Sequence, residues 1–406
     1  MIKIAVLGHG VVGSGVVEVI EKNKSAIEKK LQDKIEVKYI LDVRDFPDLP
    51  YSDKFIRDFS IIEQDKEIKV VAEVMGGVNP AFDFVMRCIR SGKSVVTSNK
   101  ALVAEKGDII LAEAKKYEVN FFFEASVGGG IPIIRPMHRC LSANEITEIY
   151  GILNGTTNFI LTKMLQDNMS FPDALELAQQ LGYAEHNPAD DIEGFDACRK
   201  ICILASLAFG RHVHPQYAFA EGISAIELED VNLARKAGYE IKLIAQARKA
   251  KDNKLIVFVA PALISSDCIL SQVKDVFNAV LIRGNVVGDI MLYGRGAGKM
   301  PTASAVVADI IDEAMHARYM PGFGWEPCNE NIVQPQLEAL SRYFLRFKNC
   351  SLFQIEKVYK NINVILEGEQ IAFITECFSG IEHCKMQEQL EAAGAELLSA
   401  IRVLDL

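Results

Sequence analysis

The segment Ile2-Lys3-Ile4-Ala5-Val6-Leu7-Gly8-His9-Gly10-Val11-Val12-Gly13 decides how the N-terminal half of the chain folds. Its first six residues are nearly all apolar, the pattern of a strand buried on both faces. The spacing Gly8-x-Gly10-x-x-Gly13 then predicts a tight turn into a helix running to about Leu31. Glycines there permit a sharp turn and a close backbone approach, and a helix N-terminus attracts a pyrophosphate. Alone the pattern fits any tight strand-to-helix turn; between a strand and a helix it reads as dinucleotide binding.

Further strands are expected at 35–41, 70–75, 94–97 and 119–124, with helices at 80–89 and 101–117. This alternation implies a parallel sheet covered on both faces. After Gly128-Gly129-Gly130 the pattern changes. A strand at 145–153, the turn Asn154-Gly155-Thr156-Thr157-Asn158 into a helix, and strands at 255–259 and 279–283 predict a second, α+β domain. The loop Gly294-Arg295-Gly296-Ala297-Gly298-Lys299 precedes a small-residue helix at 302–311. From about 340, the segments 343–347, 352–359, 362–366 and 371–377, a helix at 387–400 and a last segment at 401–406 read as a small separate α+β module.

A length of 406 residues calls for two or three domains. The net charge of −10 argues against nucleic acid and anionic membrane as partners. Nine scattered cysteines without a CxxC pair argue against a disulfide framework and a structural zinc, and for a reduced, cytoplasmic protein. His9 and Glu18 interrupt the first apolar run, and 201–209 is about half the roughly 20 residues a membrane span needs. Neither a signal peptide nor a membrane segment is expected.

The second strand ends Leu41-Asp42-Val43-Arg44-Asp45. An acid there binds a ribose 2′-hydroxyl and favours NAD; an arginine pairs with a 2′-phosphate and favours NADP. The chain offers both, with a slight lean to NADP through Arg44, and the same charges would suit a solvated loop. Lys100, in Thr97-Ser98-Asn99-Lys100, follows a strand at the sheet edge where ligands bind. It reads as a group reaching the nicotinamide or the substrate, or as a surface lysine. The stretch 182–200, Gly-Tyr-Ala-Glu-His-Asn-Pro-Ala-Asp-Asp-Ile-Glu-Gly-Phe-Asp-Ala-Cys-Arg-Lys, carries five carboxylates and runs into the apolar segment 201–209. Asp196 and Lys200 are four apart, the order and spacing of a helical ion pair. Such pairs ordinarily lie on the surface. The apolar run beside them and the extra acids Glu185 and Asp191 turn the reading inward, where carboxylates need a cationic partner such as a substrate ammonium. Glu124-Ala125-Ser126-Val127-Gly128-Gly129-Gly130-Ile131 reads as a hinge, or as carbonyls around a hard cation with Glu124 as charged ligand. His212-Val213-His214 has no acid or cysteine companion in sequence and reads as structural or exposed.

These motifs, with Val96-Thr97-Ser98-Asn99-Lys100-Ala101-Leu102, resemble in order and spacing those of homoserine dehydrogenases over about residues 1–330. The resemblance implies an α/β fold: a Rossmann-type parallel-sheet domain at 1–132, completed by about 300–330, an α+β substrate and dimerisation domain at 133–300, and a small ACT-like α+β module at 340–406. It implies NAD(P)H-dependent reduction of L-aspartate 4-semialdehyde to L-homoserine, on the route to threonine, methionine and isoleucine, by a homodimer or higher homo-oligomer. It implies that Gly8, Gly10, Val11, Val12, Gly13, Arg44, Lys100, Gly182 and Gly298 line NADP or NAD. Glu185, Asp191 and Asp196 would surround the substrate, with Lys200 the general acid and Lys100 beside it. Glu124 and the backbones of Val127, Gly129 and Ile131 match a sodium-type site.

The chemistry of the residues agrees. Hydride addition to an aldehyde leaves charge on oxygen, which an ammonium stabilises and protonates. The acids beside Lys200 are expected to hold it protonated, and oxidation is expected to gain from alkaline pH. Glu185 and Asp191 would recognise an amino group and discriminate against substrates lacking one. Other readings are a different amino-acid or sugar dehydrogenase on the same scaffold and a non-catalytic nucleotide sensor; Lys100 and Lys200 speak against the sensor. An acylating semialdehyde dehydrogenase needs an activated cysteine, and Cys88, Cys140 and Cys198 have no activating histidine motif. No kinase half is seen, so a monofunctional enzyme is expected. Two positions depart from the family: Asn187 replaces the usual aspartate, and Phe347-Lys348-Asn349-Cys350-Ser351-Leu352 lacks the acid-x-x-glycine ligand loop of an ACT module. Threonine is therefore expected to leave activity unchanged; strong inhibition in a threonine titration would overturn this.

Overall fold

Strand β1 (Ile2–Leu7) is flanked on both sides, and its residues 4–7 are wholly buried. The computed structural model describes residues 1–316, 319–328 and 330–406. Ala317, Arg318 and Asn329, within the stretch expected to complete the first domain, lie outside the described residues. After β1 come α1 (Val11–Lys22), α2 (Lys24–Leu31), β2 (Ile35–Leu41), β3 (Phe55–Ile56), α3 (Ser60–Gln64), β4 (Ile68–Glu73), α4 (Ala81–Arg90), β5 (Ser94–Thr97), α5 (Lys100–Lys116) and β6 (Phe121–Phe122). The strands form one parallel sheet in the order β3-β2-β1-β4-β5-β6. Because the order reverses direction at β1, a crevice opens at its carboxyl end, where such sheets bind ligands.

Two local expectations change. The first helix breaks at Asn23, a weak helix former, into α1 and α2. The strand expected at 119–124 is only Phe121–Phe122, because the chain turns at once into a short 3₁₀ segment, Glu124–Ser126.

The second domain contains β7 (Ile146–Ile152), α6 (Gly155–Asp167), α7 (Phe171–Gln180), α8 (Ala189–Ile192), α9 (Phe195–Phe209), β8 (Phe219–Ala220), α10 (Leu228–Lys236), β9 (Tyr239–Lys249), β10 (Leu255–Ser265), β11 (Phe277–Gly284) and β12 (Gly288–Arg295). Strands β9 and β12 were not anticipated, and β10 is longer than expected. Buried faces of α6, α9 and α10 share one apolar core with β7, β9 and β10. Helix α11 (Lys299–His316) then returns to the first domain. A Cβ placed on Gly15 of α1 would lie 2.9 Å from the Ala303 side chain, so the two helices touch backbone to methyl. Glu313 accepts hydrogen bonds from Ser94 Oγ and Asn120 Nδ2, both at 2.7 Å.

The tail comprises β13 (Leu340–Lys348), α12 (Leu352–Val358), β14 (Asn363–Leu366), β15 (Gln370–Ile374), β16 (Phe378–Ser379), α13 (Gly380–Ala392) and β17 (Glu396–Leu404). The helix expected at 387–400 is displaced: a capping box of Ser379 and Glu382 starts it, and Gly394 at φ +91° ends the turn beyond it. Nor is the tail's sheet separate. Strand β17 pairs in parallel with β10, Ala262 opposite Arg402 through Ile264 opposite Leu404, so one sheet runs β12-β11-β7-β9-β10-β17-β13-β15-β14. Among the described residues no helix is long and apolar enough to cross a membrane.

A buried ion pair fastens this junction. Arg346 of β13 donates from Nε to Asp230 Oδ1 at 2.9 Å and from Nη2 to Glu227 Oε2 at 2.6 Å, with Arg346 and Asp230 almost fully enclosed. Removing one partner of such a pair strands the other charge. Asp230→Ala is expected to lower stability by about 3–5 kcal/mol, read as an earlier urea midpoint.

Candidate active site

The turn after β1 is built for close approach. Gly8 has φ +95°, and a Cβ on Gly13 would fall 2.0 Å from the Gly8 carbonyl oxygen, so no larger residue fits. A Cβ on Gly10 would meet nothing within 4 Å. Val11, first residue of α1, is 67% exposed, and Val12 follows half-buried. Beside them opens a cleft of about 400 Å³ bordered by Gly8, Gly10, Asp42, Arg44, Arg57 and Met75. Asp42 accepts from the His9 amide at 2.7 Å, the Arg44 amide at 2.9 Å and the Arg44 guanidinium at 3.0 Å. The Arg44 guanidinium, with these amides, holds the Asp42 carboxyl well below the usual range. Arg44 itself is exposed at the rim. Gly298, at φ +116°, leads into α11, whose Lys299 pairs with Glu18 of α1 at 2.7 Å. Glycine cradle, helix N-terminus and cleft fit a dinucleotide. Gly182 is different: it is exposed at φ +73° just after α7 and is not among the residues bordering this cleft.

At the neighbouring strand ends, Thr97 Oγ1 donates to Glu73 Oε2 at 2.6 Å, and Asn99 Oδ1 caps α5 by accepting from the Leu102 amide at 3.1 Å. Burial raises the Glu73 carboxyl above the usual range. The cap starts α5 at Lys100 and aims it across the domain boundary, where its ammonium pairs with Asp196 Oδ1. Asp196 lies in the first turn of α9, where a carboxylate suits the helix dipole. Its Oδ2 accepts from Lys200 Nζ at 2.7 Å and from Asn154 Nδ2 at 3.0 Å. Lys200 also donates to the Leu153 carbonyl at 2.8 Å. Asp191 accepts from Asn154 Nδ2 at 2.7 Å and Thr156 Oγ1 at 3.3 Å.

The fold thus gathers Lys100, Asp191, Asp196 and Lys200 from both domains. Glu185 stands apart on the exposed turn between α7 and α8, with His186 and Asn187 beside it. Asn154 and Thr156 stand in the 154–158 turn motif but carried no site role in the sequence reading, and Leu153 and Glu73 carried none either; an asparagine between a strand and a helix was the available signal.

Burial works against the Asp196 charge, but the ammonium groups of Lys200 and Lys100 outweigh it and hold the carboxyl well below its usual range. Burial also opposes the Lys100 charge, yet Asp196 carries its pKa above the ordinary lysine value. For Lys200 the balance reverses. Burial depresses it and the Lys100 charge adds, against the pull of Asp196. The neighbouring acids raise the Lys200 pKa as expected, but burial and the Lys100 charge outweigh them, so the net shift is downward from the ordinary lysine value.

Glu124 is buried, its carboxylate accepting from the amides of Ile133 at 2.5 Å, Ile134 at 2.8 Å and Arg135 at 2.8 Å. Asp309 of α11 accepts from the Glu124 amide at 2.9 Å and pairs with Arg135 at 3.0 Å. Burial pushes the Asp309 carboxyl up to about 8, against the pull of Arg135 and with the charge of Glu124 adding. Val127, Gly129 and Ile131 follow in a buried turn, where a Cβ on Gly129 would lie 2.3 Å from the Gly296 carbonyl oxygen. The two glycine-rich loops are thus packed on each other.

Asp108 lies near His212 and His214, an acidic companion the sequence did not reveal. Trp325 Nε1 donates to His212 Nδ1 at 2.8 Å. An indole nitrogen is only a donor, so the neutral ring carries its proton on Nε2, which faces Asp108 Oδ1 at 4.0 Å. That nitrogen has no lone pair for a metal, and His212 reads as part of the polar core.

A parallel nucleotide-binding sheet whose carboxyl edge meets a pair of lysines on the buried Asp196 defines a nicotinamide-dependent oxidoreductase. Residues 8–124 match the family model described as "Homoserine dehydrogenase, NAD binding domain", and residues 132–311 match "Homoserine dehydrogenase". The chain belongs to the homoserine dehydrogenase family. It is 40% identical over 355 residues to the homoserine dehydrogenase of Pseudomonas aeruginosa, covering 86% of this chain and 82% of that protein. It is 42% identical over 315 residues to that of Bacillus subtilis, covering 76% and 72%. The crystal structure of a homoserine dehydrogenase from Thiobacillus denitrificans superposes with a TM-score of 0.90 at 35% identity, covering 100% of this chain and 98% of the other. A hyperthermophilic archaeal homoserine dehydrogenase in complex with NADPH superposes with a TM-score of 0.66 at 28% identity, covering 79% and 99%.

Gly13→Ala would drive a methyl group into the Gly8 carbonyl. Nucleotide affinity is expected to fall at least about tenfold with the fold intact, checked by fluorescence titration with NADPH and by circular dichroism.

Proposed function

We propose that the chain catalyses reversible, NAD(P)H-dependent reduction of L-aspartate 4-semialdehyde to L-homoserine. The observation that carries this reading is the Asp196 carboxylate shared between Lys100 and Lys200 at the edge of the nucleotide-binding sheet. The nicotinamide, when bound, supplies or accepts the hydride. Lys200 gives a proton from Nζ to the oxygen that becomes the hydroxyl, and takes it back in the reverse direction. The Leu153 carbonyl and Asp196 orient that ammonium, while Lys100 keeps Asp196 in place and adds positive charge beside the reacting oxygen. Asp191 and Glu185 receive the substrate ammonium, which selects an amino-acid aldehyde. The exposure of Glu185 suits a residue on a turn that closes against its ligand.

NADP is the proposed coenzyme. The support is Arg44, whose guanidinium, paired through Nε and Nη2 with Asp42, stands exposed at the rim of the cleft. A monovalent cation such as sodium is proposed against the carbonyls of Val127, Gly129 and Ile131, with Glu124 supplying charge. Its support is the concentration of three carboxylates, Glu124, Asp309 and Asp312, around the two guanidinium groups of Arg135 and Arg139. A homodimer or higher homo-oligomer is proposed from the edge of β12, where Tyr293 is 51% exposed, and the turn before it, where Val286 is 78% exposed. Free cysteines throughout favour the cytoplasm.

Oxidation of L-homoserine with NADP is expected, rising with pH to a basic limb below the roughly 10.4 of an ordinary lysine, because burial and Lys100 lower Lys200. Lys200→Ala should cut kcat about 10²–10⁴-fold while still binding NADPH. Arg44→Ala should weaken NADP about tenfold and leave NAD unchanged. Absence of homoserine-dependent turnover with either coenzyme in folded, nucleotide-binding protein would sink the reaction.

A further inference from the structure

Asn154 occupies the turn between β7 and α6 and is 5% exposed. Its side-chain oxygen accepts from the Thr157 amide at 2.9 Å and the Thr157 hydroxyl at 3.1 Å, which caps α6. That fixes the orientation of the amide, because the reversed form would set its oxygen against two carboxylates. The nitrogen has two hydrogens. One goes to Asp191 Oδ1 at 2.7 Å on α8, the other to Asp196 Oδ2 at 3.0 Å on α9. The preceding carbonyl, Leu153, holds Lys200. One turn therefore grips the acid assigned to the substrate, the acid assigned to the lysines, and the proton donor.

We propose that Asn154 is a positioning residue that splits Asp191 and Asp196 into separate roles, leaving Asp191 for the substrate ammonium and Asp196 for the lysine pair. The proposal rests on the reaction assigned above. Without the bridging amide, two carboxylates face each other in a buried site with nothing to keep Asp191 from joining Asp196 against the lysines. The groups around Asp191 are Asn154 and Thr156 from the start of α6, Asp196 and Lys200 from α9, and Lys100 from α5. On its own helix, Asp190 is engaged by Arg199 at 2.7 Å. Burial raises the Asp191 carboxyl, the Asn154 hydrogen bond opposes that rise, and the charge of Asp196 adds to it. Loss of the amide raises Asp191 further, so the pH below which it is protonated and activity is lost moves up.

The test uses Asn154→Ser beside Asn154→Ala in the full chain. Serine is as good a helix cap as asparagine, but its one hydroxyl hydrogen cannot bridge two carboxylates. Both variants are expected to bind NADPH as the wild type does and to show KM for L-homoserine raised at least about tenfold. The acid limb of kcat/KM should move to higher pH in both. If serine restores the KM and the acid limb that alanine loses, Asn154 is only a helix cap and the proposal is overturned. It is equally overturned if neither variant differs from the wild type. A wild type inactive on homoserine overturns the reaction itself and this inference with it, whereas an active wild type with an indifferent Asn154→Ser overturns this inference alone.

Discussion

A single carboxylate, Asp196, lies between two ammonium groups that arrive from different domains, and the rest of the site is arranged around that pairing. A buried carboxylate is tolerated only when paired, and here it is doubly paired. With Asp191 beside them the cluster holds two ammonium groups and two carboxylates, and the proposed reaction draws on the ammonium groups where an aldehyde oxygen gains negative charge. The two lysines are unlike. Against burial, Asp196 draws the Lys100 pKa up, whereas burial and the Lys100 charge press that of Lys200 down.

The geometry that allows this pairing is inherited from features far from the charges. Lys100 points across the boundary because Asn99 caps α5 at that residue, and Asn99 is steadied by Thr97 and by its own bond to the Gly77 carbonyl at 2.5 Å. Asp196 comes to meet it because α9 is an apolar helix with its charges confined to the first two turns. The two domains are kept in step by α11, which leaves the second and docks on the first, and by loops at 128–130 and 294–298 whose glycines touch backbone to backbone. The glycine-rich composition of both loops is a packing requirement shared between them.

Much of this was legible in the residues. The strand-glycine-helix pattern at 2–22 and the alternation to 117 follow from backbone sterics and two-sided burial, which act locally and leave a local trace. The Asp196–Lys200 pair was legible because helical spacing and an adjoining apolar run are both visible in sequence. What escaped depends on distant partners. Lys100 and Asp196 are joined only by the fold, as are Asp108 and His212, and the shift of Lys200 depends on a third charge that no spacing announces. Helix α13 starts earlier than the expected 387 because the Ser379 and Glu382 capping box, a signal present in the sequence, fixes its first turn. The tail was read as separate because its internal pattern is complete; nothing in β17 states that its free edge faces β10.

That shared edge also bears on what the tail is for. Strand β10 is buried over nearly its whole length, Leu255–Ser265, and is among the most apolar segments of the chain. Without β17, Ala262 to Ile264 would keep their pairing with β9 but lose it on the other side, and an apolar strand would stand open there. Open strands of that kind recruit other chains. In pairing with β10, β17 turns that exposed edge into the interior of a continuous sheet.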